Sequence, residues 1–203
     1  MSRRAWWADC HHGHANVLTY CKRPFKNVES MHLAMQRNAN SRCKKGDTIV
    51  HIGDWCTRGK ARGVEGMRWK AEMYEDFYEA KIIHIRGNHD GNNGVKHAFE
   101  YATVAMGGFK FFVIHKPPYR KEEIPIDCDA VLCGHVHEKW SHIWVDDIPV
   151  INLGVDQHRF MPKFDDEVIG LYTHLMREKE GSNEPEHSLL APGGPDCFIA
   201  EHI

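Results

Sequence analysis

Residues 48–54 read Thr48-Ile49-Val50-His51-Ile52-Gly53-Asp54, a β-rich apolar run closed by a glycine and a carboxylate. That composition predicts a buried strand whose end delivers Asp54 into a loop. The same pattern recurs on either side. Upstream, Arg4-Ala5-Trp6-Trp7-Ala8 runs into Asp9; downstream, Ile82-Ile83-His84-Ile85 runs into the polar turn Gly87-Asn88-His89-Asp90. Between the first two strands Asn27 reads as a helix N-cap, followed by Val28, Met31, Met35 and Ala39 at helical spacing and stopped by Gly46-Asp47. Between the second and third, Val64 to Ala80 sets Met67, Ala71, Tyr74, Phe77 and Tyr78 on one helical stripe. An order of β, α, β, α, β predicts a parallel sheet with helices packed against it.

The second half has a different rhythm. Thr103 to Met106 and Phe109 to Ile114 flank Gly107-Gly108, a hairpin signal. Ala130 to Cys133, His142 to Val145 and Pro149 to Leu153 add strands with short connections, and Asp165 caps a last helix reaching about Arg177. The main domain is therefore expected over residues 1–177. From Glu178 the composition turns to Lys, Glu, Ser, Asn, Pro and Gly, so 178–203 reads as a loosely ordered C-terminal extension.

Composition narrows the possibilities. The chain of 203 residues is 42% hydrophobic, enough for one substantial core, and its net charge of −2 excludes a uniformly basic nucleic-acid coat. No run approaches the roughly 18 apolar residues that span a bilayer, and Asp9 and His11 interrupt any leader after Arg3-Arg4. The 7 cysteines form no CxxC pair, which fits reduced, buried thiols in a cytoplasmic protein. Histidine is the outlier, with 16 residues.

The polar residues fall at strand ends. Asp9 and His11 follow the first strand, Asp54 the second, Asn88 and His89 the third; His115 ends the hairpin, and His135 and His137 follow Val131-Leu132-Cys133. Loops at the carboxyl ends of strands in α/β sheets gather on one rim, so these side chains are expected to converge. A nitrogen and oxygen set without sulfur suits catalytic Mn, Fe, Ni, Co or Zn rather than a structural zinc site. Seven candidate ligands exceed the needs of one open site and are about right for two divalent ions. If Asp54 bridges, Asp9, His11 and His137 serve one ion and Asn88, His115 and His135 the other. Two ions carry more positive charge than Asp9 and Asp54 return, which favours a phosphate-bearing substrate.

The ordered blocks Asp9-Cys10-His11, Gly53-Asp54, Gly87-Asn88-His89-Asp90, His115 and Gly134-His135-Val136-His137 resemble those of the calcineurin-like metallophosphoesterases. The flanks Gly13-His14-Ala15-Asn16, Tyr20-Cys21-Lys22-Arg23-Pro24-Phe25 and Ile151-Asn152-Leu153-Gly154-Val155-Asp156 are similar to a small single-domain subgroup of bacteria and phages. The resemblance covers about residues 4–165. It implies a four-layer α/β fold, a two-sheet β-sandwich flanked by helices. It also implies hydrolysis of phosphate mono- or diesters by in-line attack of a metal-bridging hydroxide at a two-metal site, with the ligand split given above. His89 would protonate the leaving oxygen, held near Asp9. The alternatives are a non-catalytic metal-binding scaffold of the same fold and a nuclease variant, for which Arg58, Arg62, Arg68, Lys116, Arg120 and Lys121 could line a groove.

The Gly53-Asp54-Trp55-Cys56-Thr57-Arg58-Gly59 stretch partly echoes the protein Ser/Thr phosphatase branch, but Thr57 stands where that branch has aspartate. A dedicated protein phosphatase is therefore not expected. His14, Asn16 and Arg58 are candidate substrate contacts: Arg58 through a bidentate fork, His14 and Asn16 either touching substrate or bracing their loop. His51 and His84 sit inside strands and are expected to be buried and hydrogen-bonded. His32, His97, His142, His158, His174, His187 and His202 carry no motif and read as surface residues.

Overall fold

A computed structural model describes residues 2–57 and 71–181. The parallel half forms as the apolar runs predict. β1 (Arg4–Trp7), β2 (Thr48–Ile52) and β3 (Lys81–Ile85) pair in parallel, Trp7 opposite His51 and His51 opposite His84. Buried on both faces, they need near-continuous apolar sequence. Trp6 and Trp7, successive residues pointing to opposite faces, enter different cores.

The outer face of this sheet takes Ala5, Trp7 and Ile49 and is covered by α2 (Val28–Arg42), whose Met31, Met35 and Ala39 are fully buried. Asn27 caps that helix in a reciprocal box with Ser30, each side chain meeting the other's backbone N–H. The helix ends at Arg42, before the expected Gly46-Asp47 stop, because Asp47 accepts from the N–H of Lys44 and closes the turn there. The second helix ends before the Ala80 that the stripe predicted. α3 is described over Ala71–Glu75; Tyr78 is buried beyond its end, and Met67 lies outside the described residues. α1 (Asn16–Tyr20), only five residues long, was too brief to leave a periodic signal.

The second sheet runs β4-β5-β6-β8-β7, built from β4 (Tyr101–Met106), β5 (Phe109–Ile114), β6 (Ala130–Cys133), β7 (His142–Val145) and β8 (Ile148–Asn152). Gly107 and Gly108, at φ +60° and +85°, make the hairpin turn that residues with a Cβ disfavour. The sheets face one another across Trp6, Val50, Ile52, Phe111, Val113, Leu132 and Ile151. α4 (Asp165–Gly181) adds Val168, Tyr172 and Leu175 to this shared core and continues past Arg177. Its Asp165 receives Arg4 through two bonds and the Trp6 indole N–H. The two-residue strand β9 (Lys163–Phe164) pairs antiparallel with β1 and makes the first sheet mixed. The result is two mixed sheets, face to face, flanked by helices. No helix among the described residues is long and apolar enough to cross a membrane. The expected extension falls mostly outside the described residues, which end at 181.

Candidate metal centre

Both sheets present the ends of their parallel strands to one rim. The loop after β1 is tied to the loop after β2 by Asp9 N–H to Gly53 O, His11 N–H to Asp54 O and His12 N–H to Trp55 O, each near 3.0 Å. The loop after β6 is tied in by the His135 N–H, which donates to both oxygens of Asp9 at 3.0 and 2.8 Å. Asp90, fully buried, accepts from the N–H groups of Asp54, Trp55 and Gly87 and locks the loop after β3 to the loop after β2.

These loops turn sharply on residues that carry the candidate chemistry. Asp9, His11, Asp54, His135 and His137 all have left-handed backbones, with φ of 59°, 51°, 59°, 72° and 52°. That conformation costs a non-glycine residue of order 1 kcal/mol or more, and such strain clusters at functional sites. Only the tolerance of Asp and His for this region hinted at it in the residue order.

The side chains converge. Asp9, His11 and His137 bring one ligand atom each within 4.8 Å of one another, and so do Asp54, His115 and His135. Asp54 Oδ2 lies 3.3 Å from His115 Nε2, 3.6 Å from His11 Nε2 and 3.9 Å from His89 Nε2. Asn88 Oδ1 is 3.1 Å from His115 Nε2. The His115 Nδ1–H donates to the Ile52 carbonyl at 2.8 Å, which leaves Nε2 as the nitrogen facing Asp54. His11 Nε2 is buried with no hydrogen-bond partner among the described residues. A buried orphan nitrogen beside a carboxylate, in a set of nitrogen and oxygen donors, fits a divalent cation.

Burial and the close approach of carboxylates and imidazoles shift the titration of the whole cluster. Burial raises Asp9 to about 6, against the pull of His115 and His137. At Asp54 burial pushes upward, but the His115 hydrogen bond and the neighbouring imidazoles hold it well below the usual carboxylate range. Burial works against protonated His115, yet its bond to Asp54 and the two carboxylates lift it to about 9. His137 is likewise opposed by burial and lifted to about 10, chiefly by Asp156 and then Cys21. Burial keeps His11 well below its ordinary value and His135 at about 4.

The remaining predicted residues are less uniform. His89 is half-exposed at the rim, its N–H donating to Asp54 Oδ1 at 2.9 Å; its ring nitrogen approaches Asp54, whereas Asp9 gives both oxygens to His135. His14 Nδ1 sits 3.4 Å from His11 Nδ1, bracing that ring, and Asn16 is exposed at the start of α1. Arg58, Arg62 and Arg68 lie outside the described residues. His84 is buried and bonded to Glu75, as expected, but neither nitrogen of buried His51 has a hydrogen-bond partner among the described residues. His32 and His158 are not surface residues: His32 packs on His12 and Tyr74, and His158 bonds the Asn152 carbonyl.

Three supporting residues went unpredicted as such. Asn152 donates to the carbonyls of His137 and Trp140 and accepts from Gly154 N–H; Asp156 accepts from His137 Nδ1 at 3.0 Å; Arg23 pairs with Asp156. Their sequence signal was position alone, in two stretches flanking the ligand blocks.

The chain is similar to known proteins in sequence and in fold. An uncharacterized protein of Methanocaldococcus jannaschii is 31% identical over 147 residues, 71% of this chain and 73% of its own. A solved protein of unknown function from Aquifex aeolicus shares the fold, with a TM-score of 0.62 at 20% identity over 84% of this chain and 100% of its own. The profile of the calcineurin-like phosphoesterase superfamily domain matches residues 8–164, which include all seven converging ligand candidates, and the chain belongs to that superfamily.

Proposed function

We propose that this phosphoesterase hydrolyses phosphate mono- or diesters at a centre of two divalent ions. The observation that carries the reading is the pair of metal-competent groups, Asp9/His11/His137 and Asp54/His115/His135, on one rim. Asp9, His11 and His137 would hold one ion, Asn88, His115 and His135 the other, and Asp54 would serve both. Such ions supply a hydroxide at neutral pH and positive charge for the phosphoryl oxygens.

The protein's own groups do the rest. The Ile52 carbonyl fixes the His115 tautomer, so its Nε2 is ready to ligate without rotating. Asp54 keeps Oδ2 among the imidazoles because His89 N–H occupies Oδ1. His89, with 47% of its side chain exposed, can meet a substrate and donate a proton from its ring to the leaving oxygen. His14, half-buried against His11, holds that ring in place, and Asn16, exposed at the start of α1, would contact the ester.

Protein loaded with Mn²⁺ or Co²⁺ is expected to hydrolyse an aryl phosphate monoester or a bis-aryl diester in proportion to metal occupancy. Silence of metal-replete protein toward mono-, di- and cyclic phosphates would contradict the reading and leave a binding scaffold.

A further inference from the structure

We propose that Arg23 and Asp156 are positioning residues that set the geometry of one half of the centre, coupling the Asp9 loop to the ring of His137. The inference rests on the reading that Asp9, His11 and His137 hold an ion.

The Arg23 side chain is 0% exposed and its donors are committed. Nε and Nη2 reach the two oxygens of Asp156 at 2.8 and 2.9 Å. Nη2 also donates to the Asp9 carbonyl at 2.7 Å, and Nη1 to the Cys10 carbonyl at 3.0 Å. Asp156 in turn accepts from His137 Nδ1 at 3.0 Å. One planar fork therefore grips the backbone of a left-handed ligand residue and, through a carboxylate, the ring of a second. A lysine has no such fork.

Two simpler accounts fit less well. A buried ion pair is a poor stability device, since apolar replacement of both partners is often neutral or stabilising. Stability therefore does not explain a guanidinium aimed at the Asp9 and Cys10 carbonyls. Cys21, His137 and Asp156 also lie within 4.8 Å of one another and could themselves hold a cation. Arg23 already occupies both Asp156 oxygens, however, so a cation would have to displace a buried positive charge.

The consequence is a fixed tautomer. With Nδ1–H directed to Asp156, His137 keeps Nε2 as the nitrogen available to an ion, and loss of such a partner typically costs 10- to 100-fold in metal affinity. The Asn152 and Gln157 amides hold the His137 carbonyl at 2.8 and 2.9 Å, so the ring, not the loop, should respond to changes at Asp156.

The test is a Co²⁺ titration followed by visible absorption, with circular dichroism as the folding control, on wild type, Asp156→Asn and Arg23→Met. Wild type is expected to take up two ions, and each folded variant to bind one of them about 10- to 100-fold more weakly with the other unchanged. Variants that keep wild-type affinity for both ions and an unchanged spectrum overturn this proposal alone. Wild type that takes up no Co²⁺ overturns the metal reading and this proposal together. Should the variants fail to fold, nitrogen NMR of histidine-labelled, zinc-loaded wild type decides. A protonated Nδ1 on His137 is expected, and a protonated Nε2 overturns the proposal.

Discussion

Around Asp54 a single carboxylate oxygen faces three imidazoles, and their different exposure assigns different tasks. His11 and His115 are buried against it, whereas His89 reaches solvent. His89→Ala should therefore retain both ions and lose about 10²- to 10⁴-fold in kcat, the usual contribution of a general acid. Asp54→Ala should lose metal and activity together; elemental analysis beside the kinetics separates the two. The same neighbours fix the pH response. Without metal, His115 sits near 9, above its ordinary value, so the stability it confers is complete below about 6.5 and lost as pH rises through 9. An ion must displace that proton, so apparent metal affinity should run the other way and rise between pH 6 and 9. Asp9, raised to about 6 by burial, adds to the loss of affinity as pH falls through that value. Calorimetric Co²⁺ affinities that are flat across this range would contradict the assignment.

Strand ends do the positioning, and they do it by close backbone approach. A Cβ on Gly87 would strike the Asp54 N–H and carboxylate, so Gly87→Ala should destabilise the fold by about 1–3 kcal/mol and displace a ligand. Thermal melts with and without metal test this, and an unaltered metal-induced rise in Tm would count against it. These strands were legible because parallel sheets demand unbroken apolar runs, as at Thr48 to Ile52. The helix at Val28 was legible from its cap and four buried positions. β9, two residues long, and α1, five, were not, since neither spans enough residues to show a period. The left-handed turns at Asp9, Asp54 and His135 were also hidden, because three-dimensional bonding between loops, not local preference, enforces them.

Across the whole molecule the site exists because two sheets meet there. Gly134 marks the contact: a Cβ would lie 2.6 Å from Asp9 Oδ2 and 2.7 Å from Ala8 Cβ, so only glycine lets the His135-His137 loop of the second sheet reach the first. The candidate ligands were readable from sequence because chemistry restricts them to Asp, Asn and His at strand ends. Arg23 and Asp156 were not, because their pairing spans 133 positions and neither type is distinctive in a loop. The most direct measurement is anomalous diffraction from crystals grown with Mn²⁺. Two peaks about 3.5–4 Å apart are predicted, one beside Asp9, His11 and His137, the other beside Asn88, His115 and His135, with Asp54 between them. A single peak, or metal bound away from this rim, would contradict the two-ion account.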